Sequence, residues 1–457
     1  MPLPEPNQNR ASRFRWVWLF IPCMVLLGLV LLIGSTVQNG WAINRLRSKG
    51  GVTTEPGLLL SFIPTSWQDS LYQLVGLEVF SAFETVTAMY GYDEFGDMDL
   101  ARLSRFQNLQ SLSLRKTIVT DTGMVHLRTM KNLKQLQLAD CEISDDALVH
   151  CKALTNLEFI NLSHTQISDE GLSHLGGLRD LEELYLEETS ISDRGMIHLK
   201  TLTKLNCLDL SSTKVSDEGL IPLMELKNLE TLYLNDTRVH NAGLAHLKKL
   251  SKLEYLNLGN TEVRDEGLIH LKTLSNLEYL CLKGTSISGA GLVYLEELDN
   301  LQGLDLSGTL ITNDGLVHLQ SLPGLKWLVL NDCRISDAGL VHLKGLKSLQ
   351  ELDLSNTLIT NDGLAHLQSL PNLEWLLLND CRISDSGLQQ LQHLKKLQGL
   401  ILTRTQVSDA GLIHLRNLTS LKSLDLEGTQ VTPAGNKELR EAIPGLADEE
   451  RAIKCFF

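Results

Sequence analysis

The sequence contains no Walker-type phosphate loop, no GxSxG nucleophile elbow, no HExxH helix and no paired CxxC, so it offers no motif for nucleotide, acyl-transfer or metalloprotease chemistry. An enzyme is not expected, nor any cofactor or metal. Basic charge is scarce: 41 Lys and Arg face 55 Asp and Glu, a net −14 over 457 residues. The deficit is uneven. Residues 1–50 hold six basic side chains (Arg10, Arg13, Arg15, Arg45, Arg47 and Lys49) against Glu5, leaving 35 basic and 54 acidic residues beyond them, a net −19. A body this acidic repels phosphate backbones, which excludes nucleic acid as a natural partner.

Aromatic residues make up only 5% of the chain. The eight cysteines do not form a disulfide pattern. Cys23 lies in an apolar stretch and Cys455 at the C-terminal end, while Cys141, Cys333 and Cys381 share one repeat position two or more repeats apart. At about 5 Å per stacked strand that separation is roughly 10 Å, beyond the Cα reach of a disulfide, so free thiols are expected.

One long apolar run is present. Trp16 to Val37 is free of charge for 22 residues and as a helix would extend about 33 Å, enough to cross a bilayer. Trp16, Trp18 and Trp41 near its ends suit the headgroup region. The run exceeds a signal-peptide core and no clean small-x-small cleavage site follows it, so an uncleaved single-pass anchor is expected. Flanking basic residues tie at three each, and those before the span lie closer to it, which favours a cytoplasmic N-terminus and an extracytoplasmic body.

From Leu109 a 24-residue pattern recurs without insertion: Leu109, Leu133, Leu157, Leu181, Leu205, Leu229, Leu253, Leu277, Leu301, Leu325, Leu349, Leu373 and Leu397 open equivalent units. In the unit from Leu253 the opening LxxLxL places alternate leucines on one face of a strand, and Leu268, Leu271 and Leu274 then make a helical stripe. A single unit cannot bury both faces. Stacked units share one core, and stability becomes a nearest-neighbour sum.

The ninth position is Thr or Cys throughout, from Thr117 and Cys141 to Thr405 and Thr429, and reads as a structural ladder in the turn that leaves the strand. Ser168-Asp169, Ser192-Asp193, Ser216-Asp217 and Ser336-Asp337 read as helix N-caps, with the hydroxyl accepting from backbone N–H groups. The following glycines, such as Gly171, Gly219, Gly267 and Gly339, let neighbouring coils approach. Residues 301–348 and 349–396 are nearly the same sequence twice, pointing to growth by duplication of two-unit blocks.

With these motifs in view, the repeat resembles the helix-bearing leucine-rich repeats of the ribonuclease-inhibitor-like and F-box-associated type. The layout resembles bacterial membrane-anchored leucine-rich-repeat proteins: a basic N-terminus, one apolar span, Gly50-Gly51, a Trp-bearing segment and many copies of LxxLxLxxTxISDxGLxHLxxL. The resemblance implies an α/β solenoid, or horseshoe, with a parallel β-sheet on the concave face and short helices on the convex face, plus the N-terminal transmembrane helix. It also implies a role in protein interaction. The expected organisation is a basic tail at residues 1–15, the span at 16–37, a linker and N-terminal cap at 38–84, about fifteen repeats at 85–445 and a tail at 446–457.

Within that frame the third and fifth residues of each unit face solvent on the strand side. The candidate binding residues are Phe159, Tyr185, Asp209, Tyr233, Tyr255, Tyr279, Asp305, Trp327, Asp353 and Trp375, where rings can anchor a partner and acids select basic or hydroxyl-rich ligands. A protein partner is expected, with a glycan as the lesser possibility. The alternative is a substrate-recognition subunit of a ubiquitin-type ligase, but no F-box-like helical domain is evident. Ten histidines, among them His126, His150, His270 and His318, share one convex position and read as partly exposed helix residues rather than a metal ladder.

Overall fold

The computed structural model describes residues 50–56 and 84–446. The expected basic tail at 1–15 and the membrane span at 16–37 lie outside those residues, as do Cys23, Cys455, most of the 38–84 segment and the tail beyond Leu446. Among the described residues no helix is long and apolar enough to cross a membrane.

The chain divides into two units, Met1–Leu157 and Glu158–Phe457. In the first, β1 (Gly50–Pro56) runs antiparallel to β2 (Glu84–Gly91), so Gly50 and Gly51 belong to a strand. β3 (Ser111–Ser113) and β4 (Gln135–Gln137) then extend the ladder in parallel. The second unit holds twelve three-residue parallel strands in sequence order. They are β5 (Phe159–Asn161), β6 (Glu183–Tyr185), β7 (Cys207–Asp209), β8 (Thr231–Tyr233), β9 (Tyr255–Asn257), β10 (Tyr279–Cys281), β11 (Gly303–Asp305), β12 (Trp327–Val329), β13 (Glu351–Asp353), β14 (Trp375–Leu377), β15 (Gly399–Ile401) and β16 (Ser423–Asp425). Tyr255 pairs with Tyr279 and Tyr279 with Gly303, each one repeat away, so equal repeat positions stack in columns across the sheet.

The coil opened by Leu253 shows how the pattern becomes a core. Leu253, Leu256, Leu258, Val263, Leu268, Leu271 and Leu274 are all 0% exposed. Each such side chain contributes about 1.5–3 kcal/mol when fully buried, and none could be buried without neighbouring coils. The helical side is mostly 3-10, as in Asp217–Glu225, Asp265–His270 and Asn313–Ser321, with α-turns at Asp145–Cys151 and Asp385–Leu391. A three-residue leucine spacing is the 3-10 period, which keeps Leu268 and Leu271 on one inward face.

Each coil leaves its strand through a left-handed residue at the eighth position: φ is 57° at Asp236, 55° at Asn260 and 66° at Gly284. Asp, Asn and Gly fill most of this column, as the steric cost of that conformation demands. The ninth-position ladder follows directly. The Thr261 hydroxyl is buried and donates to the Leu258 carbonyl at 2.6 Å, as Thr285 does to Leu282 and Thr309 to Leu306. Cys333 and Cys381 instead donate one coil back, to Leu306 and Leu354 at 3.1 Å. Thr261→Val should therefore destabilise by about 1–3 kcal/mol despite conserving volume, with Thr261→Cys milder. A urea midpoint unchanged in the valine variant would show that the hydroxyl is dispensable.

Ser168 caps its helix as expected, its hydroxyl accepting from the Glu170 N–H, but Ser192, Ser216 and Ser336 make no such side-chain cap. Asp169 accepts from the next coil's Ser192, through the backbone N–H at 2.7 Å and the hydroxyl at 2.5 Å, and Asp193 does the same for Ser216 at 2.7 and 2.6 Å. The serine hydroxyls mostly donate between coils, because coils stack closely enough for the carboxylate to reach the next turn's backbone. The glycine rule holds for the same reason. A Cβ on Gly219 would sit 2.5 Å from Asp193 Oδ1. Among the described residues the acceptor column, Asp or Asn in the other coils from Asp97 to Asp409, is broken at Gly289. Thr312 there has no carboxylate partner, and a shallow cleft lined by Ser288, Gly289, Leu310, Thr312 and His318 opens.

Candidate functional site

The strand face of the second unit carries the expected columns. In most strands the middle leucine is buried and the third- and fifth-position side chains flanking it are half-exposed, as in β8, β9 and β12. Four rings form a continuous chain. Tyr233 and Tyr255 have centroids 5.0 Å apart, Tyr255 and Tyr279 6.1 Å, and Tyr279 and Trp327 5.5 Å. Tyr279 and Trp327 lie two strands apart and still meet, because Gly303 pairs with both and places no side chain between them. The Lys326 ammonium lies 5.6 Å from the Trp327 ring centre, in cation–π range.

The remaining aromatic candidates stand apart from this chain. Phe159 and Tyr185 make a separate pair at 5.5 Å, with the Tyr185 hydroxyl donating to Glu183 at 2.9 Å. Trp375 turns over β15, its ring occupying the place where Gly399 would carry a Cβ. The face thus holds a ring pair, a four-ring chain and one isolated indole rather than a single stripe from Tyr233 to Trp375.

The acidic candidates have a local role that periodicity could not show. Asp209 Oδ1 accepts from the Ser211 backbone N–H at 2.9 Å and its hydroxyl at 2.6 Å. Asp305 and Asp353 accept the corresponding N–H of Ser307 and Ser355 at 2.8 Å. The fifth-position acid therefore closes the turn after the strand, and Asp305 is only 6% exposed while doing so. Burial raises the carboxyls of Asp209 and Asp353 above the usual range.

Glu351, absent from the expected set, is also only 6% exposed on this face. Burial first, then the neighbouring charge of Asp353, raises its carboxyl above the ordinary value. A carboxyl raised by folding favours the folded state fully below its unfolded value, and that contribution is lost as pH climbs toward the raised one. Wild type should accordingly lose stability relative to Glu351→Gln between about pH 4 and neutrality. Urea midpoints for the two proteins at pH 4 and pH 7 measure this, and parallel pH profiles would show that Glu351 titrates as it does in the unfolded chain.

The thiols of Cys207 and Cys281 are pushed up by burial to about 11 and about 12, so they stay protonated near neutrality. Cys141, Cys151, Cys207, Cys281, Cys333 and Cys381 are all free. On the helical side, burial lowers His150 and His270, and His318 pairs with Glu296 at 2.6 Å. Among the described residues no three His, Cys, Asp or Glu side chains converge on a point that could hold a metal ion.

Two family models match parts of the chain, both described as leucine rich repeat: one over residues 323–383, the other over 129–149, 153–176, 201–224 and 249–272. Among solved structures, the chain is similar to an internalin from Listeria monocytogenes at 24% identity and a TM-score of 0.57, covering 73% of this chain and 93% of that one. It is also similar to a leucine-rich-repeat protein of Leptospira interrogans at 23% identity and a TM-score of 0.56, covering 77% and 87%. Both likenesses concern the fold. Comparison with curated protein sequences gave no match.

Proposed function

From the premise that the chain is a leucine-rich-repeat protein, we propose that it is a membrane-tethered binding module whose strand face captures a protein partner. The observation that carries this reading is the ring chain Tyr233–Tyr255–Tyr279–Trp327, half-exposed on a rigid sheet. Tyrosine and tryptophan supply large contact areas at low conformational cost, and such residues dominate measured binding energies at protein interfaces. The acidic surroundings favour a partner with basic character over a neutral glycan. The tether is the uncharged run at residues 16–37, with the repeat body outside the cytoplasm.

The experiment is capture from intact membranes with the full chain, comparing wild type with a substitution on the strand face and one on the helical side, such as Ile269→Ser. Ile269 is 40% exposed, so its loss should leave the core intact. A partner retained by the Ile269 variant and lost by the strand-face variant supports the proposal. The reverse pattern would move the binding surface to the helical side.

A further inference from the structure

β13 places on the strand face a charge that the turn-closing acids do not explain. Glu351 stands in register with Trp327 on β12 and Trp375 on β14. Glu183 occupies the same repeat position on β6 and accepts the Tyr185 hydroxyl, whereas the Glu351 side chain makes neither a hydrogen bond nor an ion pair. Partly desolvating a carboxylate without a partner carries a cost, so a bound counter-charge would stabilise it.

The surroundings define what could serve as that partner. Trp327 leans toward Tyr279 over Gly303, and Trp375 turns over Gly399, so the two indoles diverge from β13 on opposite sides. Trp327 and Trp375 are two strand spacings apart, roughly 10 Å, with Glu351 between them. The charge acting on it is that of Asp353 on the same strand, and the nearby strands carry Asp305 on β11, Lys326 ahead of β12 and Glu374 ahead of β14. Lys326 is already engaged with Gln302 at 2.7 Å and with the Trp327 ring. The balance around the Glu351 carboxylate is therefore negative, and the strands on either side carry indoles rather than a cation paired with it.

We propose that Glu351 is the seat for a basic side chain of the partner, whose ammonium or guanidinium group pairs with the carboxylate on β13, between the strands that carry Trp327 and Trp375. This rests on the strand face being the binding surface. Occupation supplies the counter-charge that the largely buried Glu351 side chain lacks, and it draws the carboxyl to its ionised form, so binding takes up the cation and releases a proton. Affinity should then rise with pH through the raised carboxyl range and fall with ionic strength.

The test uses the full chain in detergent and three synthetic peptides, tetra-arginine amide, tetra-lysine amide and tetra-glutamate amide, followed by calorimetry and tryptophan fluorescence. Wild type should bind the two basic peptides and not the acidic one, and the stronger of the two identifies guanidinium or ammonium as the preferred group. Glu351→Gln keeps the shape and removes the charge. It should weaken basic-peptide binding at least tenfold, abolish its rise with pH and leave the urea midpoint at or above that of wild type. Binding of tetra-arginine by Glu351→Gln within twofold of wild type overturns the seat, as does absence of basic-peptide binding by wild type up to 1 mM. If Trp327→Ala loses the captured partner while Glu351→Gln retains it, the seat is wrong and the surface stands. If both variants retain it, the surface itself is wrong.

Discussion

Asp193→Ala is expected to lower stability by about 2–4 kcal/mol, although the residue lies in a surface turn and touches no apolar core. Its carboxylate accepts both the backbone N–H and the hydroxyl of Ser216 in the next coil, and alanine leaves both donors unpaired in a part-buried seam. Asp193→Asn should be nearly neutral, because the array already contains that solution. Asn313 accepts the Ser336 N–H at 2.9 Å and donates to its hydroxyl at 2.8 Å, and Asn361 does the same for Ser384. Urea unfolding of the two variants separates the readings. Should the alanine variant unfold at the wild-type midpoint, the inter-coil carboxylates would be ornaments of the turn rather than its fastening.

Replacing both Trp327 and Trp375 by alanine should remove about 4 kcal/mol or more of partner affinity, with each single variant costing about 2. The two indoles stand on opposite sides of β13, separated by Glu351, so their losses should be close to additive unless one partner group spans both. The fold should survive, because the core beneath them is carried by Leu328 and Leu376, both 0% exposed. Affinity measured for wild type, the singles and the double gives the cycle. Near-normal binding by the double variant would eliminate this part of the face and direct attention to the loops.

The solenoid was legible because thirteen uninterrupted copies leave little else for LxxLxL and a three-residue leucine stripe to do. The turn chemistry was less so. The eighth-position column of Asp, Asn and Gly was visible in the sequence and signals a left-handed residue, but Lys116, Glu188 and Arg404 occupy the same conformation and blur it. The Ser-Asp pairs looked like caps because the local signature is identical; only the approach of the next coil turns the carboxylate outward to that neighbour. At the candidate face the rings lie on the strand side but not as one stripe, and Asp209, Asp305 and Asp353 close their own turns. Glu351 was missed because a glutamate at an outward strand position reads as ordinary surface. Its register with Trp327 and Trp375, 24 residues away on either side, appears only when the third positions are read as a column.

The break at Gly289 bears on how the second unit comes apart. In an array whose stability is summed over adjoining coils, cooperativity is passed along like tension through links, and it weakens where a link is thinner. The seams at His240 and Arg264 keep the backbone bond to the preceding coil, from Asp217 and Asn241. The seam at Thr312 has neither that bond nor the hydroxyl bond; there the backbones of Gly289 and Gly315 approach closely, and the Leu310 N–H still donates to the Ile287 carbonyl at 2.9 Å. Strain or denaturant acting on the array would thus divide it between the coils of Ser288 and Thr312. The rings from Tyr233 to Tyr279 would fall on one side of that division, and Trp327, Glu351 and Trp375 on the other. A ligand lying across both halves would be a clasp as well as a guest, fastening the array at the step where its own sequence leaves it loosest.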